Sequence, residues 1–173
     1  MQTFLVGLAR VLGRVSQAAL WIAGISLVLM TTVVVTQVFF RYVLNNSIVW
    51  SEPMAVILMG WFIFFGAAVG IRDGYHLSFD VLVAVVPRVV RNIFFSISDI
   101  VVGGFGAGMV WYGGQLAWSA RDYKLPSLGV SGAVDFMPLV FGGVLICLFS
   151  LERLARRAAG LPTTRFGDDH GVA

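Results

Sequence analysis

Residues 18–40 read AALWIAGISLVLMTTVVVTQVFF, an apolar stretch without a charged residue, set between Arg14 and Arg41. Crossing a hydrocarbon core roughly 30 Å thick takes about 20 helical residues at 1.5 Å each, so this stretch is long enough to span a bilayer. Three more stretches qualify: Met54 to Ile71, Ile93 to Ala117 and Val130 to Leu151. None contains Lys or Arg, and the acids inside them are Asp99 and Asp135. Lipid cannot satisfy backbone polar groups, and the runs lack the apolar/polar alternation of barrel strands, so the spans are expected to be helices. The first run is about twice the length of a signal-peptide core and ends in Phe39-Phe40-Arg41 rather than a small-residue cleavage site, which makes it a permanent span.

Composition agrees. Of 173 residues, 58% are apolar and 12% are charged, with a mean hydropathy of +0.89, whereas soluble domains carry about 25% charged residues. The longest stretch outside the apolar runs is about 22 residues, against at least about 50 for an independent domain. This leaves little room for an aqueous catalytic domain, a nucleic-acid reader or a disulfide-stapled module. The single cysteine, Cys147, can form no intrachain bridge.

With four crossings, both termini and the second loop share one side of the membrane. That side carries Arg10, Arg14, Arg72, Arg88, Arg91, Arg153, Arg156, Arg157 and Arg165, against Arg41, Arg121 and Lys124 on the other. The positive-inside bias therefore puts both termini in the cytoplasm. The basic balance then serves to anchor the chain against anionic lipid headgroups, with no nucleic-acid partner required.

Before the first span, Phe4, Leu5, Leu8, Val11, Leu12 and Val15 recur at helical spacing opposite Arg10, Arg14 and Gln17. This predicts either an amphipathic helix in the headgroup plane or an extension of the first span. A second short interfacial helix or re-entrant turn is expected between His76 and Val86, closed by Pro87. Small-residue pairs Gly66/Gly70, Gly103/Ala107 and Gly104/Gly108 allow close helix approach, most simply within the chain and otherwise toward a partner. Trp111, Trp118 and Tyr123, with Tyr42 and Trp50, suit an interfacial aromatic belt. Pro138 is expected to bend the fourth span or free a carbonyl. The expected layout is an all-α integral membrane protein: an amphipathic segment 1–17, a four-helix transmembrane domain 18–151 with short interfacial helices, and a polar, disordered cytoplasmic tail 152–173.

The chain offers little chemistry of its own. His76 and His170 are the two histidines, both outside the spans, so no metal site, bis-histidine haem or other cofactor is expected, and no catalytic residue is assigned. Asp99 and Asp135 each lie near the start of their own span, and so toward opposite sides of the membrane. Each is read as a carboxylate near an interface, paired with water, a hydroxyl or a nearby Arg; contact with another membrane subunit is the alternative. The polar signal concentrates around the second span. Ahead of it stands Phe40-Arg41-Tyr42-Val43-Leu44-Asn45-Asn46-Ser47-Ile48-Val49-Trp50-Ser51-Glu52-Pro53, and behind it Arg72-Asp73-Gly74-Tyr75-His76-Leu77-Ser78-Phe79-Asp80. Ser51 is placed to accept from orphan helix N–H groups, Glu52 to meet the positive end of the helix dipole, and Pro53 to sit in the first turn.

Taken in order, Arg41-Tyr42, Trp50-Ser51-Glu52, Trp61 and Gly66, then Arg72-Asp73-Gly74 with His76 and Asp80, resemble the small membrane subunit of tripartite ATP-independent periplasmic (TRAP) transporters, the DctQ-like family. The resemblance covers about residues 18–151 in architecture, with specific motifs at about 41–80. It implies a multi-pass protein of the bacterial inner membrane. A periplasmic solute-binding protein would deliver a small carboxylated solute, and a large multi-span permease subunit would carry it inward on a sodium gradient. The small subunit would act as scaffold for the large one, among membrane lipids. The residues carried over as partner or interface determinants are Arg41, Trp50, Glu52, Gly66, Arg72, His76 and Asp80. Family members often read Trp-Ser-Glu-Glu with an Arg about three residues on; Pro53 and Val56 stand here instead. The rival readings are a membrane assembly or regulatory factor and a self-sufficient multidrug-type exporter. The exporter would need a mid-span carboxylate that the first span lacks.

Overall fold

The computed structural model describes residues 2–73 and 88–158. They form four helices: α1 (Gln2–Tyr42), α2 (Ser51–Asp73), α3 (Arg88–Ser119) and α4 (Ala133–Ala158). Each is long and apolar enough to cross a membrane, as expected for an all-α four-span protein. α1 has 41 residues, about 60 Å of helix and twice the thickness of a hydrocarbon core. It runs unbroken from Gln2, so residues 2–17 extend the first span. The expected interfacial element at 76–86 and most of the tail lie outside the described residues.

The helices are not neighbours in chain order. α1 packs along α2, α2 along α4 and α4 along α3, while α1 meets α4 only marginally. The last helix is thus inserted between the second and the third. Its sequence explains how. Gly142 and Gly143 are adjacent, and successive residues point about 100° apart around a helix. A Cβ on Gly142 would lie 2.5 Å from the Cβ of Phe64 on α2, and one on Gly143 would lie 2.9 Å from the Gly106 carbonyl on α3. Two bare positions admit one neighbour each. Higher along α4, the buried Pro138 ring rests on Gly60 of α2, where a Cβ would come within 3.2 Å of the ring. Proline removes one backbone donor early in α4, and Gly60 makes room for the ring that replaces it.

One apolar cluster joins all four helices: Leu12 of α1, Ala68 and Ile71 of α2, Met109 of α3, and Ile146 and Phe149 of α4. A second joins Ala19 and Ala23 of α1 to Phe65 and Val69 of α2, with Trp61 against its edge. Trp61 also stacks on Phe141 of α4 at 5.9 Å. No α1 residue beyond Ser26 is buried, so α1 is held by its first half and opens toward its second.

The connections are compact. After α1, Asn46 N–H donates to the Phe40 carbonyl at 3.0 Å, and Asn45 takes φ of 52°, a left-handed conformation that Asn tolerates. Ser51 departs from the expected cap: its hydroxyl donates back to the Ile48 carbonyl at 2.6 Å, tying the loop to the helix start. Between α3 and α4 the chain makes a tight hairpin. Leu125 N–H bonds the Val130 carbonyl at 2.9 Å, with Gly129 at φ +67°, where glycine alone is unstrained. Ser131 Oγ donates to the Arg121 carbonyl at 2.8 Å and accepts from Ala133 N–H, so α4 begins at Ala133 rather than at Val130.

Candidate functional site

The buried charges gather at one end, here called the Arg72 end. Arg72, the second-last residue of α2, places Nε 3.1 Å from Glu152 Oε2 and Nη2 3.5 Å from Glu152 Oε1. Its guanidinium also lies 5.6 Å from the Phe149 ring centroid and beside Gly13 of α1, where a Cβ would be 3.6 Å from Nη2. Arg156, one turn on from Glu152, approaches the same carboxylate at 3.5 Å. Arg153 ion-pairs with Asp99 of α3, Nε to Oδ1 at 3.3 Å, and its Nη1 donates to the Ile71 carbonyl of α2. That carbonyl is one of the last four of α2, which lack helical partners and attract a cation.

The lattice therefore ties α2 and α3 onto α4 at a single depth, with Gly13 of α1 lying beside Arg72. Asp99, Glu152 and Arg153 are each buried, a position where unpaired charge would be costly and paired charge serves to fix geometry. From Asp99 to Ser119, from Arg72 to Ser51 and from Glu152 to Ala133, about 30 Å of helix follows in each case at 1.5 Å per residue. This equals the thickness of a hydrocarbon core. Asp99 thus has the nearby Arg that its position called for. Asp135 is exposed in the first turn of α4, at the positive end of that helix.

The residues singled out from sequence fall into different surroundings. Arg41 is exposed and lies 5.9 Å over the Tyr42 ring. Trp50 and Glu52 are exposed at the opposite end from the ionic lattice. Gly66 is half-buried, and a Cβ added there meets nothing within 4 Å. Arg72 is turned inward to Glu152, while His76 and Asp80 lie outside the described residues. The site is thus not one constellation. Glu152 and the inward role of Arg153 escaped the sequence reading, which counted Arg153 only as a cytoplasmic anchor. The available signal was depth: Glu152-Arg153 follows its apolar run at the level where Arg72 and Asp99 close theirs.

The glycines separate into used and unused faces. Gly103, Gly106 and Gly113 of α3 lie against α4, at Ser150, Ile146 and Leu139. A Cβ on Gly104, Gly108 or Gly114 of α3, or on Gly66 or Gly70 of α2, would meet nothing within 4 Å. Of the small-residue pairs expected to serve intrachain packing, Gly103 does so, and the other glycines stay open. Trp111, Trp118 and Tyr123 are exposed, as an aromatic belt requires.

Four apolar spans, polar groups tied off within the chain at one end and large apolar faces left open define a multi-pass membrane protein built for membrane company. Residues 30–160 match the family described as tripartite ATP-independent periplasmic transporters, DctQ component. The chain belongs to this family, that of TRAP transporter small permease subunits. It is similar to the C4-dicarboxylate TRAP transporter small permease protein DctQ of Rhodobacter capsulatus, 34% identical over 61% of this chain and 48% of that protein. The putative TRAP transporter small permease protein of Haemophilus influenzae is 25% identical over 76% of this chain and 81% of that protein. The sialic acid TRAP transporter small permease protein SiaQ of Vibrio cholerae is 28% identical over 68% of each. The chain spans about half the length of the Rhodobacter relative, and 28% of the length of the Vibrio cholerae C4-dicarboxylate protein DctQ.

Proposed function

We propose that the chain is the stationary scaffold of a TRAP-type uptake system in the bacterial inner membrane. It holds the large multi-span permease subunit beside it, while a periplasmic binding protein delivers a small carboxylated solute and a sodium gradient drives import through the large subunit. The Arg72 end and both termini face the cytoplasm. The observation that carries this reading is the division of the molecule: charge is neutralised inside it at one level, and its flanking helices are left open. In the most apolar windows of α1 and α3, 17% of residues are buried within the chain. Lipid gives no hydrophobic incentive for association, so open small-residue faces such as Gly66/Gly70 are where another helix gains packing. The carboxylated solute rests on the relatives named for C4-dicarboxylates and sialic acid. Arg41, Trp50, Glu52 and Gly66 are available as contacts to the other subunits. Arg72 acts from within by holding the end of α2, and His76 and Asp80 are proposed as further partner contacts on the strength of the family resemblance.

The test is deletion and copurification. Removing this chain should abolish solute uptake with the large subunit still expressed, and a tag on this chain should retrieve the large subunit from detergent extracts. Separate migration of the two, with uptake unaffected by the deletion, overturns the scaffold reading and favours an assembly or regulatory factor. Gradient-driven accumulation by this chain alone in liposomes favours the exporter.

A further inference from the structure

On the face of α3 and α4 turned away from α2 lies an elongated open trough of about 810 Å³. Its walls are apolar, with Ala107 and Trp111 of α3 facing Val144 and Leu148 of α4. From Ala107 to Ser119 it follows about 18 Å of helix, comparable to one leaflet, half of a core roughly 30 Å thick. The far end is polar: Gln115, Trp118 and Ser119 line it. Arg121 stands over Trp118 with its guanidinium carbon 3.8 Å from the ring centroid, and its Nε is 3.3 Å from Asp122. Among the described residues, the Gln115 amide and the Ser119 hydroxyl have no protein hydrogen-bond partner.

The rim therefore offers N–H and O–H donors beside an arginine whose guanidinium is shared with Asp122, above an apolar trough. A glycerophospholipid presents the complement: phosphate and ester oxygens, which accept only, above an acyl chain. A transmembrane helix fits less well, because its carbonyls are consumed by its own ladder. Polar groups at a bilayer boundary gain most from partners that lipid tails cannot supply. We propose that this trough seats one glycerophospholipid of the leaflet at the Trp118 end. One of its two acyl chains lies between Ala107 and Leu148, and its ester and phosphate oxygens accept from Gln115, Ser119 and Arg121. This goes beyond the scaffold role and does not depend on it.

The test reconstitutes the full chain, alone and together with its copurified large subunit, in phosphatidylethanolamine/phosphatidylglycerol vesicles. These carry phosphatidylglycerol with a photoactivatable group in its acyl chain, and adducts are mapped by mass spectrometry. Adducts should concentrate on the trough over the exposed α1 positions Val28 and Val35. They should fall about tenfold in Ala107→Trp, equivalent to about 1.4 kcal/mol, and fall also in Gln115→Leu/Arg121→Ala. Both walls are accessible, so Leu148→Trp blocks the trough from the other helix if Ala107→Trp disturbs folding, which circular dichroism reports. Equal labelling of α1 and trough means annular lipid only and overturns the proposal. So does labelling indifferent to both tryptophans, or loss of the adducts in the two-subunit sample with crosslinks to the large subunit instead.

Discussion

Gly142 shows what a single hydrogen atom in place of a side chain can decide. A methyl there would overlap Phe64, and one on Gly143 would press on the Gly106 backbone, whereas one on Gly104 meets open space. Overpacking a close contact costs about 1–3 kcal/mol. Gly142→Ala and Gly143→Ala should therefore each destabilise the isolated chain by about that much in detergent unfolding titrations, and Gly104→Ala should leave it unchanged or slightly firmer, since alanine favours helix. A comparable loss at Gly104 would mean that α3 also packs on that side. The buried charges obey a different rule. Arg153 neutralises Asp99 and at the same time satisfies an end carbonyl of α2, so its side chain fastens two helices to a third.

Among the helices, α4 holds both of its main neighbours, α2 and α3, through two kinds of contact, glycine at mid-span and ion pairs at the Arg72 end. α1 is divided instead. Its first half presents Ala19 and Ala23 to Phe65 and Val69, where only small side chains fit. Its second half carries Val28 and Val35, both largely exposed. Ala23→Leu should loosen α1 from α2 and lower stability by about 1–3 kcal/mol, while Val35→Ala should change it by less than about 0.5 kcal/mol in the isolated chain. Thermal aggregation of the purified variants distinguishes the two. If Val35→Ala is the more damaging, the second half of α1 is packed after all.

For the molecule as a whole, the charge asymmetry predicts a direction of insertion, with both termini cytoplasmic. In a Cys147→Ser background, Ser127→Cys in the α3–α4 hairpin should react with a membrane-impermeant maleimide in intact spheroplasts, and Gln2→Cys only after permeabilisation. The reverse pattern would invert the orientation. The four spans were legible because apolar length is a local property: any stretch like residues 18–40 has to be covered by lipid or protein. The packing order was not. Gly103 and Gly104 are adjacent and equally small, and nothing local says that the first meets Ser150 while the second stays open. Likewise, depth made a nearby Arg a natural partner for Asp99, yet selecting Arg153 needed to know that α4 lies beside α3. Arg41, Trp50 and Glu52 could be located as polar or aromatic signals flanking a span, but their exposure on this chain leaves their meaning to whatever assembles with it.

The insertion of the final helix between the second and third has a consequence for how the polypeptide is made. Asp99 is synthesised 54 positions ahead of Arg153, a gap of about 3 to 11 seconds at synthesis rates of about 5–20 residues per second. During that interval the nascent α3 lacks the Arg153 contact and the α4 face that it has in the folded chain.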